Sequence, residues 1–193
     1  GERAVVGCRA PAARLSPEPA QGAELVQAAA RLAAERWRPA RDEAKQRLEC
    51  ALAACPVVVA LQGLKPAQAV QAGRELAEAG VRILEVPLDA PGALEALGLL
   101  VEALPSSVVV GAGTVVTEAE VHAVACAGAA FVGSPHTDGS LIRCARRQGL
   151  LSAPGICTPN EALAAAEHGA DVLQVFPAEQ APAAALACWG PLL

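Results

Sequence analysis

The sequence is 193 residues long, 53% apolar, and carries a formal charge of −5, which is enough chain for one core with an appendage and too little for two ordinary domains. Its apolar stretches are broken by Gly, Pro or a charge well short of the ~20 residues that a membrane span requires, so no spanning helix is expected. Residues 1–50 hold nine Lys or Arg against seven Asp or Glu, whereas residues 51–193 hold six against thirteen, an acidic balance that argues against nucleic acid as a ligand of the larger part.

Alanine supplies much of the apolar fraction, with two Phe, two Trp and neither Tyr nor Met. The core must then be built from Val, Leu, Ile and Ala. Seven cysteines (8, 50, 55, 126, 144, 157 and 188) are scattered with no CxxC pair, so they read as reduced thiols rather than as a disulfide framework or a structural zinc site. The chain opens on Gly, with an Ala-, Arg- and Pro-rich stretch. That is the look of a protein whose targeting segment has been removed, in a plastid or mitochondrion for instance, and equally of a trimmed chain.

In chain order, residues 1–21 read as irregular, with Pro11, Pro17 and Pro19. Residues 23–37 place Leu25, Val26, Ala29, Leu32, Ala33 and Trp37 at helical spacing, which predicts an amphipathic helix. A second helix is expected over 42–54. These two make residues 1–50 a partly helical extension, packed on the outside of residues 51–193 or plugging one end.

From Pro56 the pattern alternates. Strands are predicted at 56–61, 81–86, 107–111, 130–133, 150–154 and 171–176, and helices at 66–79, 91–103, 117–127, 138–148, 159–168 and 181–189. Four helices run into a glycine step (AGV, AGAAF, QGLL, HGADV), which suits a left-handed helix stop. Pro66, Pro91 and Pro159 sit where a first helical turn accepts proline. Six βα units with continuously apolar strands predict an α/β fold with a parallel sheet and helices outside. Periodicity alone fits an open doubly wound sheet and a (β/α)8-type barrel equally.

The strand ends carry more. LEVPLDAP at 84–91, GAGTV at 111–115, GSP at 133–135, PGICTPNEA at 154–162 and LQVFPAE at 173–179 resemble, in order and spacing, the bacterial aldolases that cleave 2-keto-3-deoxy-6-phosphogluconate. LQGLKPAQA at 61–69 resembles the branch acting on the 6-phosphogalactonate analogue. The resemblance covers residues 48–193 and implies a TIM-barrel-like fold with its chemistry at the C-terminal ends of the strands, here incomplete at six βα units. It also implies a class I mechanism, in which a lysine on the sixth strand forms an imine with the keto group and a glutamate on the second strand moves protons. No cofactor or metal is implied.

On that resemblance the glutamate is Glu85, and Thr114 and Pro135 are retained substrate-site residues. The lysine position, however, is Gln174, and a carboxamide cannot condense with a ketone. The chain's two lysines, Lys45 and Lys65, offer little replacement, since Lys65 lies in a solvent-facing loop and Lys45 in the leading helix. Asp89 stands where the family often has an arginine that holds the substrate carboxylate, and Gln62 where the galactonate branch has another. The glycine-rich phosphate loops of the family's last two strands are not matched before Leu193. His136 is a further rim residue that could act as acid or base, although a solvated loop histidine is the simpler reading. His122, His168, Arg143, Arg146 and Arg147 read as helix-surface residues.

Together these departures lead to the expectation of a catalytically degenerate barrel serving as a structural or accessory subunit of a larger assembly. The alternative is a lyase acting on a 2-keto-3-deoxy sugar acid or small oxo-acid by altered, lysine-independent chemistry. An open six-stranded plan leaves two apolar edges, so other subunits, a second copy of the chain or its own extension are expected to cover them.

Overall fold

The computed structural model describes residues 41–189. The irregular stretch expected at 1–21 and the helix expected at 23–37 lie outside the described residues. Helix α1 covers 41–54, and six βα units follow: β1 (Val58–Ala60), α2 (Pro66–Glu78), β2 (Ile83–Pro87), α3 (Ala93–Ala103), β3 (Val109–Gly113), α4 (Glu118–Cys126), β4 (Phe131–Ser134), α5 (Gly139–Arg147), β5 (Leu151–Ile156), α6 (Pro159–Glu167), β6 (Gln174–Val175) and α7 (Ala183–Trp189). All strands pair in parallel and in sequential order from β1 to β6. An open doubly wound sheet would reverse its strand order at a switch point; this one does not, and it forms the wall of a half-barrel.

Local chemistry explains the regularity of the units. Gly80, Gly128, Gly149 and Gly169 take φ of 100°, 80°, 79° and 88°, and the residue after each donates back to a carbonyl five positions earlier: Val81 to Leu76, Ala129 to Val124, Leu150 to Ala145 and Ala170 to Ala165. Each helix therefore ends in the same glycine-dependent turn, which aims the chain into the next strand. At the other end, Thr117 and Thr158 cap α4 and α6 by accepting from the backbone N–H of Glu120 and Glu161. Those glutamates reach back to the Thr117 and Thr158 N–H groups, closing a capping box.

The alternation along the strands sorts the side chains into two layers. Leu84, Val86, Val110, Ala112 and Val132 face the helices and pack with Leu97, Leu100, Val121 and Val124. Ile83, Val109, Phe131 and Leu151 face the barrel interior, where Ala44, Leu48 and Ala51 of α1 cover them. Helix α1 therefore closes one end of the half-barrel. Arg47 fastens it by donating to the carbonyls of Ser106 and Val108 just before β3, and Arg41 pairs with the buried carboxylate of Asp171 just before β6.

Strand β6 is shorter than the apolar run 171–176 predicts. The Asp171 carboxylate accepts from Ser152 N–H while the Asp171 and Val172 N–H groups both donate to the Ser152 carbonyl, so the first half of the run is spent on a side-chain-assisted turn instead of a ladder.

Two positions of β3 leave no room for a side chain. A Cβ on Gly111 would stand 2.3 Å from the Phe131 ring, and one on Gly113 would stand 2.1 Å from Glu85 Oε1. A Gly111→Ala change should destabilise the fold by about 1–3 kcal/mol through overpacking, and the loss should shrink in a Phe131→Leu background. Urea denaturation of the four proteins of that cycle measures the coupling; strictly additive losses would show that the ring does not set the requirement for glycine.

Candidate active site

Glu85 lies at the middle of β2 on its interior face, in register with Ala60 of β1 and Gly111 of β3. Its carboxylate extends over the two glycines of neighbouring strands. A methyl group built on Gly133 would lie 3.2 Å from Glu85 Oε2 and 3.6 Å from Gln174 Oε1, so the glutamate of β2 and the amide of β6 converge above β4. The space they share is a cavity of about 420 Å³ inside the half-barrel, which Leu48 and Leu52 of α1 close at its far end. Its remaining wall is mostly apolar, including Val58, Ile83, Phe131, Leu151 and Val172.

Those surroundings govern the acid. Burial pushes the Glu85 carboxyl above its ordinary value of 4.5, and no other cause accompanies it, as expected for a carboxylate drawn out of water without a cation to hold its charge. In sequence the carboxylate is one letter in EVPL; its proton affinity comes from apolar side chains on other strands and on α1.

The remaining residues singled out in the sequence fall at the C-terminal rim. Thr114 follows β3 with a left-handed backbone, φ 57°, a conformation that non-glycine residues adopt at a cost and that gathers at functional sites. Pro135 follows β4 and is pressed against β5, since a Cβ on Gly155 would lie 2.5 Å from its carbonyl oxygen. Gln62 and Asp89 lie in the loops after β1 and β2 and meet each other: the Gln62 amide donates to the Asp89 carboxylate at 2.7 Å. The resemblance placed both at cation positions, yet the pair satisfies itself across two loops, a link that separate inspection of either residue does not reveal. Lys65 and His136 are exposed. The three basic residues of α5 do not form one patch: Arg143 bonds to His168 at 2.9 Å, Arg146 lies over Gly169, and Arg147 pairs with Glu118 at 3.4 Å.

The sequence model of the KDPG and KHG aldolases matches residues 48–188. The chain belongs to that family. A curated relative, the probable 2-dehydro-3-deoxy-6-phosphogalactonate aldolase of Rhizobium meliloti (strain 1021), is 39% identical over 123 residues, which are 64% of this chain and 58% of that protein. The chain thus spans less than two thirds of that relative's length. Among solved structures, the native KDPGal structure superposes with a TM-score of 0.69 at 29% identity, covering 72% of this chain and 67% of the other. A cube-shaped protein cage designed by fusing symmetric oligomeric domains superposes with a TM-score of 0.68 at 29% identity, covering 70% and 50%.

These relationships overturn one expectation from the sequence. The degenerate structural subunit inferred from Gln174 gives way to the aldolase reading, because the matching family and the curated relative are aldolases by name. The inference failed because it equated the loss of one covalent route with the loss of the site. The acid, its glycine-cleared space and the strained threonine all remain in place.

The sign of the Glu85 shift yields a stability test. A carboxyl whose folded value lies above its unfolded one destabilises the fold once it ionises, and that penalty lifts as pH falls through the folded value and below 4.5. Glu85→Gln should therefore raise the melting temperature at neutral pH, with the gain shrinking toward zero at pH below the ordinary carboxylate range. A gain that is flat or grows on acidification would show that Glu85 is not held by burial.

Proposed function

We propose that the chain is a carbon–carbon lyase of the aldolase type, acting on a 2-keto-3-deoxy sugar acid or a small oxo-acid without an imine intermediate. The observation that carries this reading is the convergence of Glu85 and Gln174 on the space above Gly133, in a mostly apolar cavity.

In this reaction the Glu85 carboxylate takes the proton of the hydroxyl on C4. The C3–C4 bond breaks as the C4 carbonyl forms, and its electron pair moves into the C2 carbonyl to give the enolate of the shorter oxo-acid. The Gln174 carboxamide donates an N–H to the developing oxyanion, and the protonated Glu85 then returns its proton to C3. A carboxyl with raised proton affinity suits both halves, since it can hold the proton between the two transfers. The Gln62–Asp89 pair at the rim presents hydrogen-bonding groups with an anion to the incoming end of the substrate, which favours hydroxyls over a second carboxylate there. The assembly that accompanies this reading is a homo-oligomer, in keeping with the symmetric oligomeric domains named for one structural neighbour.

The test is exchange of the C3 protons of pyruvate and of 2-keto-3-deoxy sugar acids in deuterated water, followed by NMR. The wild-type chain should catalyse exchange or cleavage with at least one of these acids, and Glu85→Gln should slow it by about 10²–10⁴-fold, the usual contribution of a positioned acid–base group. Borohydride should leave the wild-type mass unchanged. Covalent capture on Lys45 or Lys65 would refute the imine-free route, and absence of exchange with every acid would remove the lyase reading.

A further inference from the structure

On the outer layer of helices, far along the chain from Glu85 and Gln174, three donors of different chemistry come together. Glu118 and His122 lie one turn apart on α4, and Cys144 projects from α5. One ligand atom from each, a carboxylate oxygen, an imidazole nitrogen and the thiol sulfur, lies within 4.8 Å of the other two. Cys144 is fully buried, while Glu118 and His122 are exposed, so the cluster opens to solvent on one side only.

We propose that Glu118, His122 and Cys144 bind a zinc ion that clips α4 to α5. The distances are close to those of a metal site. Cys144 Sγ and His122 Nε2 are 3.9 Å apart, a weak thiol–imidazole contact, and the edge of a tetrahedral zinc site with bonds of ~2.3 Å to sulfur and ~2.0 Å to nitrogen measures about 3.5 Å. Closing the cluster around an ion needs only a small inward movement of two exposed side chains toward a fixed thiol.

The donor set also selects the ion. One thiolate, one imidazole and one carboxylate suit zinc, whereas calcium and magnesium take oxygen ligands. The two anionic ligands neutralise a divalent charge, so an ion beside the helix interface brings no net charge with it. Arg147, 3.4 Å from Glu118 Oε2, can hold one carboxylate oxygen while the other ligates, the kind of outer partner that orients a metal-binding carboxylate. The fourth coordination position faces water. The inference does not rest on the lyase reading, since these side chains lie outside the barrel interior.

The site is legible in the fold and not in the linear pattern. Glu118 and His122 have helical spacing, but Cys144 joins them from the following βα unit, so no short cysteine motif announces it.

Cobalt titration of the reduced, metal-stripped chain tests the proposal. The wild-type protein should take up one equivalent of Co²⁺ with a thiolate-to-cobalt charge-transfer band and tetrahedral visible absorption, and added Zn²⁺ should abolish both and raise the melting temperature. Cys144→Ser should remove the charge-transfer band. His122→Gln, at an exposed position that leaves the core intact, should weaken binding by at least the ~10–100-fold that even outer partners contribute. Cys126→Ser, also on α4, should leave the spectrum unchanged. A band that persists in Cys144→Ser, affinity unchanged in His122→Gln, or no stoichiometric uptake by the wild-type chain would each overturn the proposal.

Discussion

The arrangement depends on a steric constraint at the barrel's inner face: β3 must carry glycine where its neighbours need room. Gly111 yields to the Phe131 ring and Gly113 to the Glu85 carboxylate, while at Gly133 of β4 a Cβ would press only lightly on Glu85 and make an ordinary contact with Gln174. A side chain at Gly111 or Gly113 would push the ring or the carboxylate off the wall. The motif GAGTV is therefore a packing rule as much as a chemical one. It lets a half-barrel with small side chains hold one large ring at its waist and one acid above it, and the ring in turn is the surface on which α1 closes the barrel.

That closure couples stability to chemistry. Phe131, Ile83 and Leu151 bury against α1, and the same three line the cavity beneath Glu85. The apolar contact that holds the plug also strips water from the acid and raises its proton affinity. A change that loosens α1 would admit water to the cavity and let the carboxyl ionise more readily. Fold and proton chemistry are set by one layer of side chains.

Much of this was legible in the sequence, for physical reasons. The four glycine helix stops and the first-turn prolines act through local backbone geometry, so they were visible without a fold, and they fixed the phase of the βα units within a few residues. Thr114 and Pro135 fell just past strand ends and Glu85 within β2, positions that the strand pattern fixes without knowledge of their contacts. What escaped depended on contacts between distant units. The shortening of β6 comes from Asp171 meeting Ser152, the Gln62–Asp89 bond joins two rim loops, and the Glu118, His122 and Cys144 cluster spans two helices. The misjudged role came from letting Gln174 alone outweigh a family resemblance that spans the fold, whereas the structure shows Gln174 lining the same cavity as Glu85.

Gln174 changes more than the covalent route. A lysine at that position would set an ammonium beside Glu85, and an opposite charge at such range holds a carboxyl ionised. The amide contributes no charge, so burial alone decides, and the acid retains its proton to higher pH. In the proposed reaction, an amide in place of the amine would remove an electron sink and at the same time make Glu85 a better proton carrier. The two consequences are linked by distance: both side chains reach the space above the same glycine. The proposed imine-free route asks of such a site only that it move a proton and steady an oxyanion by hydrogen bonding, the minimum that cleavage next to a carbonyl demands. The rate it can reach is bounded by the weaker electron sink, since an amide N–H stabilises an enolate less than a protonated imine does.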